Sequence, residues 1–97
     1  MDNTIEAQLR RTRRARGMTQ AALAAEAGLS RFAVTRAETR ADDTRLSTLE
    51  AMARALGLDI LLVPSALRGD IDALVRAGGR VLAQPEGVDA PASIVDL

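Results

Sequence analysis

At 97 residues the chain has room for one small domain, and much of its 47% apolar content is Ala, which buries little area per side chain. It contains neither Cys nor His, which excludes a disulfide framework and thiolate chemistry and removes the usual residue of zinc sites and general-base mechanisms. The 13 basic and 13 acidic residues cancel overall, but residues 1–45 hold nine Arg against six acids while residues 46–97 hold four Arg against seven, a basic front half suited to a polyanion.

The first segment, "MDNTIEAQLRRTRR", lacks the apolar stretch of a secretory signal, and no apolar run approaches the roughly 20 residues that span a bilayer. A cytoplasmic protein without a membrane partner is therefore expected. Ile5 and Leu9 lie one helical turn apart and are followed by Arg10, Arg11, Arg13, Arg14 and Arg16, which predicts an amphipathic helix over about 3–16, ended by Gly17. Thr19 is suited to cap a second helix over about 20–27, with Leu23 and Ala27 on one face. Gly28 stops it, Leu29 fills the corner, and Ser30 caps a third helix over about 31–38 with Val34 and Ala37 inward.

The segment "TRADDTR" carries no apolar residue larger than Ala and reads as a loop. Ser47 and Glu50 have the spacing of a capping box, with Leu46 ahead of it as a staple. A fourth helix follows, placing Leu49, Met52, Ala53 and Leu56 at helical spacing before Gly57. "LDILLVP" is a short apolar run between Gly57 and Pro64 and reads as a strand. Its apolarity on both faces asks for cover, which a second copy of the chain can supply. Leu58, Ile60, Leu61, Leu62 and Val63 are accordingly the candidate dimerisation residues. Leu67, Ile71, Leu74 and Val75 predict a fifth helix, weakened by Gly69 and ended at Gly78 and Gly79. "RVLAQP" suits one more short strand, and residues 85–97 read as a flexible tail.

A helix, a tight turn at Gly28-Leu29-Ser30 and a second helix form the helix-turn-helix arrangement. Small Ala24 and Ala25 allow a close crossing, and Leu23, Leu29 and Val34 fill the angle. The second helix of the pair displays Arg31, Phe32, Thr35 and Arg36. Arg binds guanine O6 and N7 bidentately in the major groove, and Phe presses on a thymine methyl. Phe32 has a competing reading as a partly buried core residue, and the Arg run of the first helix one as a solvated face. The acidic residues, Asp70 and Asp72 among them, join no catalytic constellation, so an enzyme is not expected.

The order of residues resembles the lambda-repressor-like, or XRE-type, helix-turn-helix regulators. The resemblance runs from about Ile5 to Gly57 and includes "LRRTRRARGMTQAALAAEAGLS", then Val34-Thr35-Arg36-Ala37-Glu38, then "LSTLEAMARALG". It implies an all-α fold of four to five helices that binds double-stranded DNA as a homodimer. It also implies that Gln20 clamps a phosphate, that Arg31, Phe32 and Arg36 touch bases, and that Arg13 pairs structurally with Glu38. Arg14, Arg40 and Arg45 are the further phosphate candidates. Two departures stand out: Arg40 and Thr44 occupy places where the family usually has Gly and Pro, and the loop contains Asp42 and Asp43. "ALGLDILLVP" is similar to HipB-type antitoxins, whose strands pair across a dimer, which repress their own operon and which bind a toxin partner.

The expected organisation is thus a DNA-binding domain over 1–57, a strand-and-helix dimerisation extension over 58–84 and a tail over 85–97. The short strand completes an intersubunit ribbon, and no cofactor or metal is required. The expected function is a sequence-specific repressor acting as an autorepressing antitoxin. A stand-alone or phage-type regulator without a toxin, and an interaction module that has lost DNA binding, are the alternatives.

Overall fold

The computed structural model describes residues 2–78. The chain divides into two compact units, one spanning Asp2–Leu61 and the other beginning at Leu62. The first unit holds four α-helices in the order α1 (Ile5–Ala15), α2 (Gln20–Ala27), α3 (Arg31–Thr39) and α4 (Leu46–Ala55), with a 3-10 turn at Ala41–Asp43. The second holds a 3-10 turn at Ser65–Leu67 and α5 (Arg68–Arg76).

The first three helices begin where a side chain can satisfy a backbone N–H left over at the helix start. Thr4 accepts from the N–H of Ala7, Thr19 from that of Ala22 (3.0 Å) and Ser30 from that of Ala33 (3.1 Å). The turn between α2 and α3 is built on Gly28, whose φ of 70° is left-handed. There the Leu29 N–H reaches back to the Ala24 carbonyl at 2.9 Å, a Schellman closure of α2. Only two residues therefore separate Ala27 from the Ser30 cap, and α3 leaves the corner in a fixed direction.

The core of this unit is a single cluster. Leu9 comes from α1, Leu23 and Ala24 from α2, Val34 and Ala37 from α3, and Leu49, Met52 and Ala53 from α4, with Leu56 just beyond. Leu23, Val34 and Met52 are its largest fully buried side chains. Each contributes about 1.5–3 kcal/mol by leaving water. Ala24 is buried at the α2–α3 crossing, whereas Ala25, expected there too, is exposed. Successive positions turn by about 100° around a helix, so with Leu23 and Ala24 on the core side Ala25 is carried outward.

Two further expectations are corrected. The fourth helix starts at Leu46 with Arg45 at the N-cap and no side-chain cap bond, so Ser47 lies inside the helix and the capping box does not form. The Arg45 carbonyl takes the N–H groups of Thr48 and Leu49 at 3.1 and 3.2 Å. Leu46 is 59% exposed and staples nothing. The cause lies upstream in "TRADDTR". Ala41 is buried in the core, the Thr44 hydroxyl donates to the Arg40 carbonyl at 3.1 Å, and the chain re-enters a helix early.

Residues Leu58–Pro64 form neither helix nor strand, and no strand is present among the described residues. A lone extended segment has no ladder partner within one chain. Burial nevertheless alternates: Leu58 and Ile60 are half-buried against the core, while Asp59 and Leu61 are exposed. That is the period of an extended strand lying on a helical surface. The expected strand at "RVLAQP" and the tail over 85–97 lie outside the described residues.

One polar interaction crosses this apolar core. Arg13 Nε donates to Glu38 Oε2 at 2.7 Å and Arg13 Nη2 to Glu38 Oε1 at 3.0 Å, a bidentate pair tying α1 to α3. The side chains are only 9% and 3% exposed. Arg13 Nη1 also donates to the Met18 carbonyl at 2.7 Å, and no buried side-chain polar atom is left without a partner among the described residues. Removing one member leaves the other charge buried and uncompensated, at a cost of about 3–5 kcal/mol. Glu38→Ala should therefore lower the melting temperature by at least about 12 °C, measured by circular dichroism. A shift of a degree or two would mean that solvent compensates Arg13.

Candidate nucleic-acid interface

The outward surface of α3 follows from what its other side must do. Val34, Ala37 and Glu38 point inward, so the positions between them point away from the core. Arg31, Phe32, Thr35 and Arg36 are all exposed. Phe32, the only aromatic residue of the chain, is 73% exposed, which removes its reading as a core residue.

Phe32 and Arg36 share a shallow surface depression with Asp43, Thr44, Arg45 and Thr48. The structure thus brings two base-reading candidates of α3 together with one phosphate candidate, Arg45, at the start of α4. Arg45 makes no ion pair among the described residues and is exposed. Asp43 sits in the same depression and lowers its positive potential. Arg14 is exposed but lies in a different depression, with Asp2, Ala7, Arg10 and Arg11.

Arg40 is differently placed. Its Nη2 donates to Asp42 Oδ2 at 2.9 Å, an exposed ion pair within the 3-10 turn. The hydrogen bond from Arg40 holds the Asp42 carboxyl below its ordinary range, and the same bond raises the Arg40 guanidinium above its own. Asp42 takes the Nε hydrogen and one Nη2 hydrogen of Arg40, which leaves further guanidinium N–H groups for a phosphate but offsets the charge that would attract one.

Gln20 opens α2 and is half-buried. Its Nε2 donates to Glu38 Oε1 at 3.3 Å, and its Oε1 accepts from the Thr35 hydroxyl at 3.0 Å. The buried ion pair is therefore continued through Gln20 to the exposed face of α3. This leaves Gln20 one Nε2 hydrogen pointed at neither partner, which is the donor a phosphate oxygen needs.

Sequence reasoning missed three contributors. Arg10 Nη1 donates to the Glu38 carbonyl at 2.8 Å, a second clamp from α1 on the end of α3. Its spacing of three residues before Arg13 puts both on one stripe of α1, and that spacing was the available signal. Arg16 Nη1 reaches the Ala55 carbonyl at 3.4 Å and braces the end of α4. Thr48 lines the depression from inside α4, which begins two residues earlier than a Ser47 cap allows.

Of the dimerisation candidates, Leu58 and Ile60 pack on the core of their own unit, and Leu61, Leu62 and Val63 are exposed. Among the described residues no group of three or more His, Cys, Asp or Glu converges as a metal site, and no helix is long and apolar enough to cross a membrane.

No curated protein and no solved structure gives a significant match to the chain. A family model described as a helix-turn-helix domain matches residues 7–66, more than half of the sequence, and takes in α1 from its third residue and the whole of α2, α3 and α4. Its span and the α2–Gly28–α3 geometry agree with an XRE-like regulator, and the chain belongs to the helix-turn-helix domain family.

Proposed function

We propose that the protein is a sequence-specific, double-stranded DNA-binding transcriptional regulator that acts as a homodimeric repressor in the cytoplasm. The observation that carries this reading is the exposed set Arg31, Phe32, Thr35 and Arg36 on α3, held outward by a corner that the core and the Arg13–Glu38 pair fix. α3 enters the major groove; Arg31, Phe32, Thr35 and Arg36 read base edges. Gln20, Arg14, Arg40 and Arg45 contact phosphates, which set register without carrying sequence information. Two copies address half-sites roughly 34 Å apart.

The dimer forms through the extended segment after Gly57. Leu58 and Ile60 face the core of their own chain, so the pairing edge and the outward Leu61, Leu62 and Val63 remain for a second copy. An unpaired apolar edge is an aggregation hazard, and antiparallel pairing with its own copy satisfies it under two-fold symmetry. On the likeness to HipB-type antitoxins, the finer reading is an autorepressing antitoxin whose C-terminal part binds a toxin. A stand-alone repressor shares every feature above except that partner.

One observation favours a second reading, an interaction module that no longer binds DNA. Asp42 occupies Arg40, and Asp43 lies in the depression beside Arg36 and Arg45. The two readings part on binding experiments.

Arg31→Ala and Arg36→Ala should each cost about 1–3 kcal/mol on a selected site and relax preference at one base pair. Equal weakening on selected and random DNA would assign them to phosphates instead. Asp42→Asn should tighten DNA binding by up to about fivefold at low salt by releasing Arg40. It should also steepen the slope of log K against log salt by about 0.9, one added phosphate contact, in fluorescence anisotropy titrations. An unchanged slope would place Arg40 off the DNA. Leu61→Pro removes a ladder donor at an exposed position and should turn a dimer into a monomer at micromolar concentration. Sedimentation velocity decides this; a dimeric variant would move the interface elsewhere.

A further inference from the structure

We infer that the Thr35 hydroxyl is locked as a hydrogen-bond acceptor toward DNA and reads the exocyclic amino group of an adenine or cytosine in the major groove. The inference rests on the DNA-binding reading above and deepens it.

The lock starts in the core. The Glu38 carboxylate, paired with Arg13, only accepts hydrogen bonds. The Gln20 atom 3.3 Å from Glu38 Oε1 must therefore be the amide nitrogen, because an amide oxygen there would set two acceptors face to face. This fixes the orientation of the Gln20 amide by chemistry and turns its Oε1 toward Thr35 at 3.0 Å. An amide oxygen only accepts, so the single hydrogen of the Thr35 hydroxyl goes to it. What Thr35 presents to its exposed side is then a pair of lone pairs.

That polarity selects partners. Phosphate oxygens, guanine O6 and N7, adenine N7 and thymine O4 are all acceptors and are repelled. The donors in the major groove are the adenine N6 and cytosine N4 amino groups. Arg31 and Arg36 carry only donors and cannot recognise an amino group. Thr35 thus supplies the hydrogen-bond polarity that the Arg residues of α3 lack, and its direction is set from the buried carboxylate through Gln20. Its neighbour Thr39 donates to the Thr35 backbone carbonyl at 2.9 Å, which leaves the Thr35 side chain to Gln20 alone.

The test uses full-length protein and a pool of double-stranded DNA with a random core. Sites enriched by the wild type are compared with sites enriched by Thr35→Val, which keeps the side-chain shape and removes the hydroxyl, and by Thr35→Ser, which keeps the hydroxyl. In the wild-type site, each adenine is replaced by purine and each cytosine by pyrimidin-2-one, changes that delete only the amino group. The expected result is a loss of about tenfold at one base pair per half-site for the wild type and Thr35→Ser, and none there for Thr35→Val, whose melting temperature is unchanged. Gln20→Leu, which frees the hydroxyl to donate, should relax the same dependence. Loss at no base pair, equal loss in the wild type and Thr35→Val, or full dependence retained in Gln20→Leu would each overturn the lock while leaving DNA binding in place. A wild-type protein that enriches no sequence would overturn the lock and the DNA-binding reading together.

Discussion

The pair between Arg13 and Glu38 is the constraint on which the rest of the first unit depends. The apolar core is small, with Leu23, Val34 and Met52 its largest fully buried side chains and Ala filling much of the remainder. Apolar contacts are non-directional and, between short helices rich in Ala, leave the angle of α3 weakly determined. A bidentate guanidinium–carboxylate pair has one good geometry. With Arg10 on the Glu38 carbonyl, it pins the end of α3 to α1 at two points. A pair of this kind adds little net stability over apolar packing, and specificity of arrangement is its best-attested use. Here the same carboxylate also orients Gln20, so one buried charge governs both where α3 lies and how a polar group on its outer face is polarised.

Much of this unit was legible because its local signals agree with one another. Thr19, Gly28 and Ser30 each have one strong local preference, and together they fix the α2–α3 corner within a residue. Leu23, Val34, Leu49 and Met52 declare the core by helical spacing alone. The loop after α3 was less legible because nothing in "TRADDTR" competes on hydrophobicity. Ala41 is buried by its position between two helices, and small apolar residues carry no periodic signal by themselves. That one anchor moves the start of α4, undoes the capping box at Ser47 and exposes Leu46. A capping box is a local energy of about 1 kcal/mol, and tertiary placement of the preceding turn overrides it.

The candidate interface was legible as a set of exposed residues and illegible as a set of states. That Arg40 and Arg45 flank the loop is visible in the sequence; that Arg40 is held by Asp42 while Arg45 makes no ion pair among the described residues requires coordinates. Gln20 as a polar residue opening a helix is equally visible, but its two hydrogen bonds join residues 15 and 18 positions away. The extended segment shows the same division. Its apolar run is plain, yet the alternation that puts Leu58 and Ile60 on the core and leaves Leu61 outward depends on the helical surface beneath it.

These features bear jointly on how tightly a single copy can hold DNA under the proposed reading. Affinity for a duplex comes chiefly from neutralised phosphates, and the loop side offers Arg45, without an ion pair among the described residues, one Arg engaged by Asp42 and a further acidic residue in the depression. A single unit so equipped reads base edges from a weak electrostatic platform, which favours discrimination over retention. Joining two units raises the effective concentration of the second half-site contact to the millimolar range and restores retention without any added charge. On the proposed reading, the exposed apolar residues after Gly57 and the acidic loop would solve one problem from two sides: the loop would keep each half weak enough to leave random DNA, and pairing of two copies would make occupancy depend on two half-sites at the correct spacing.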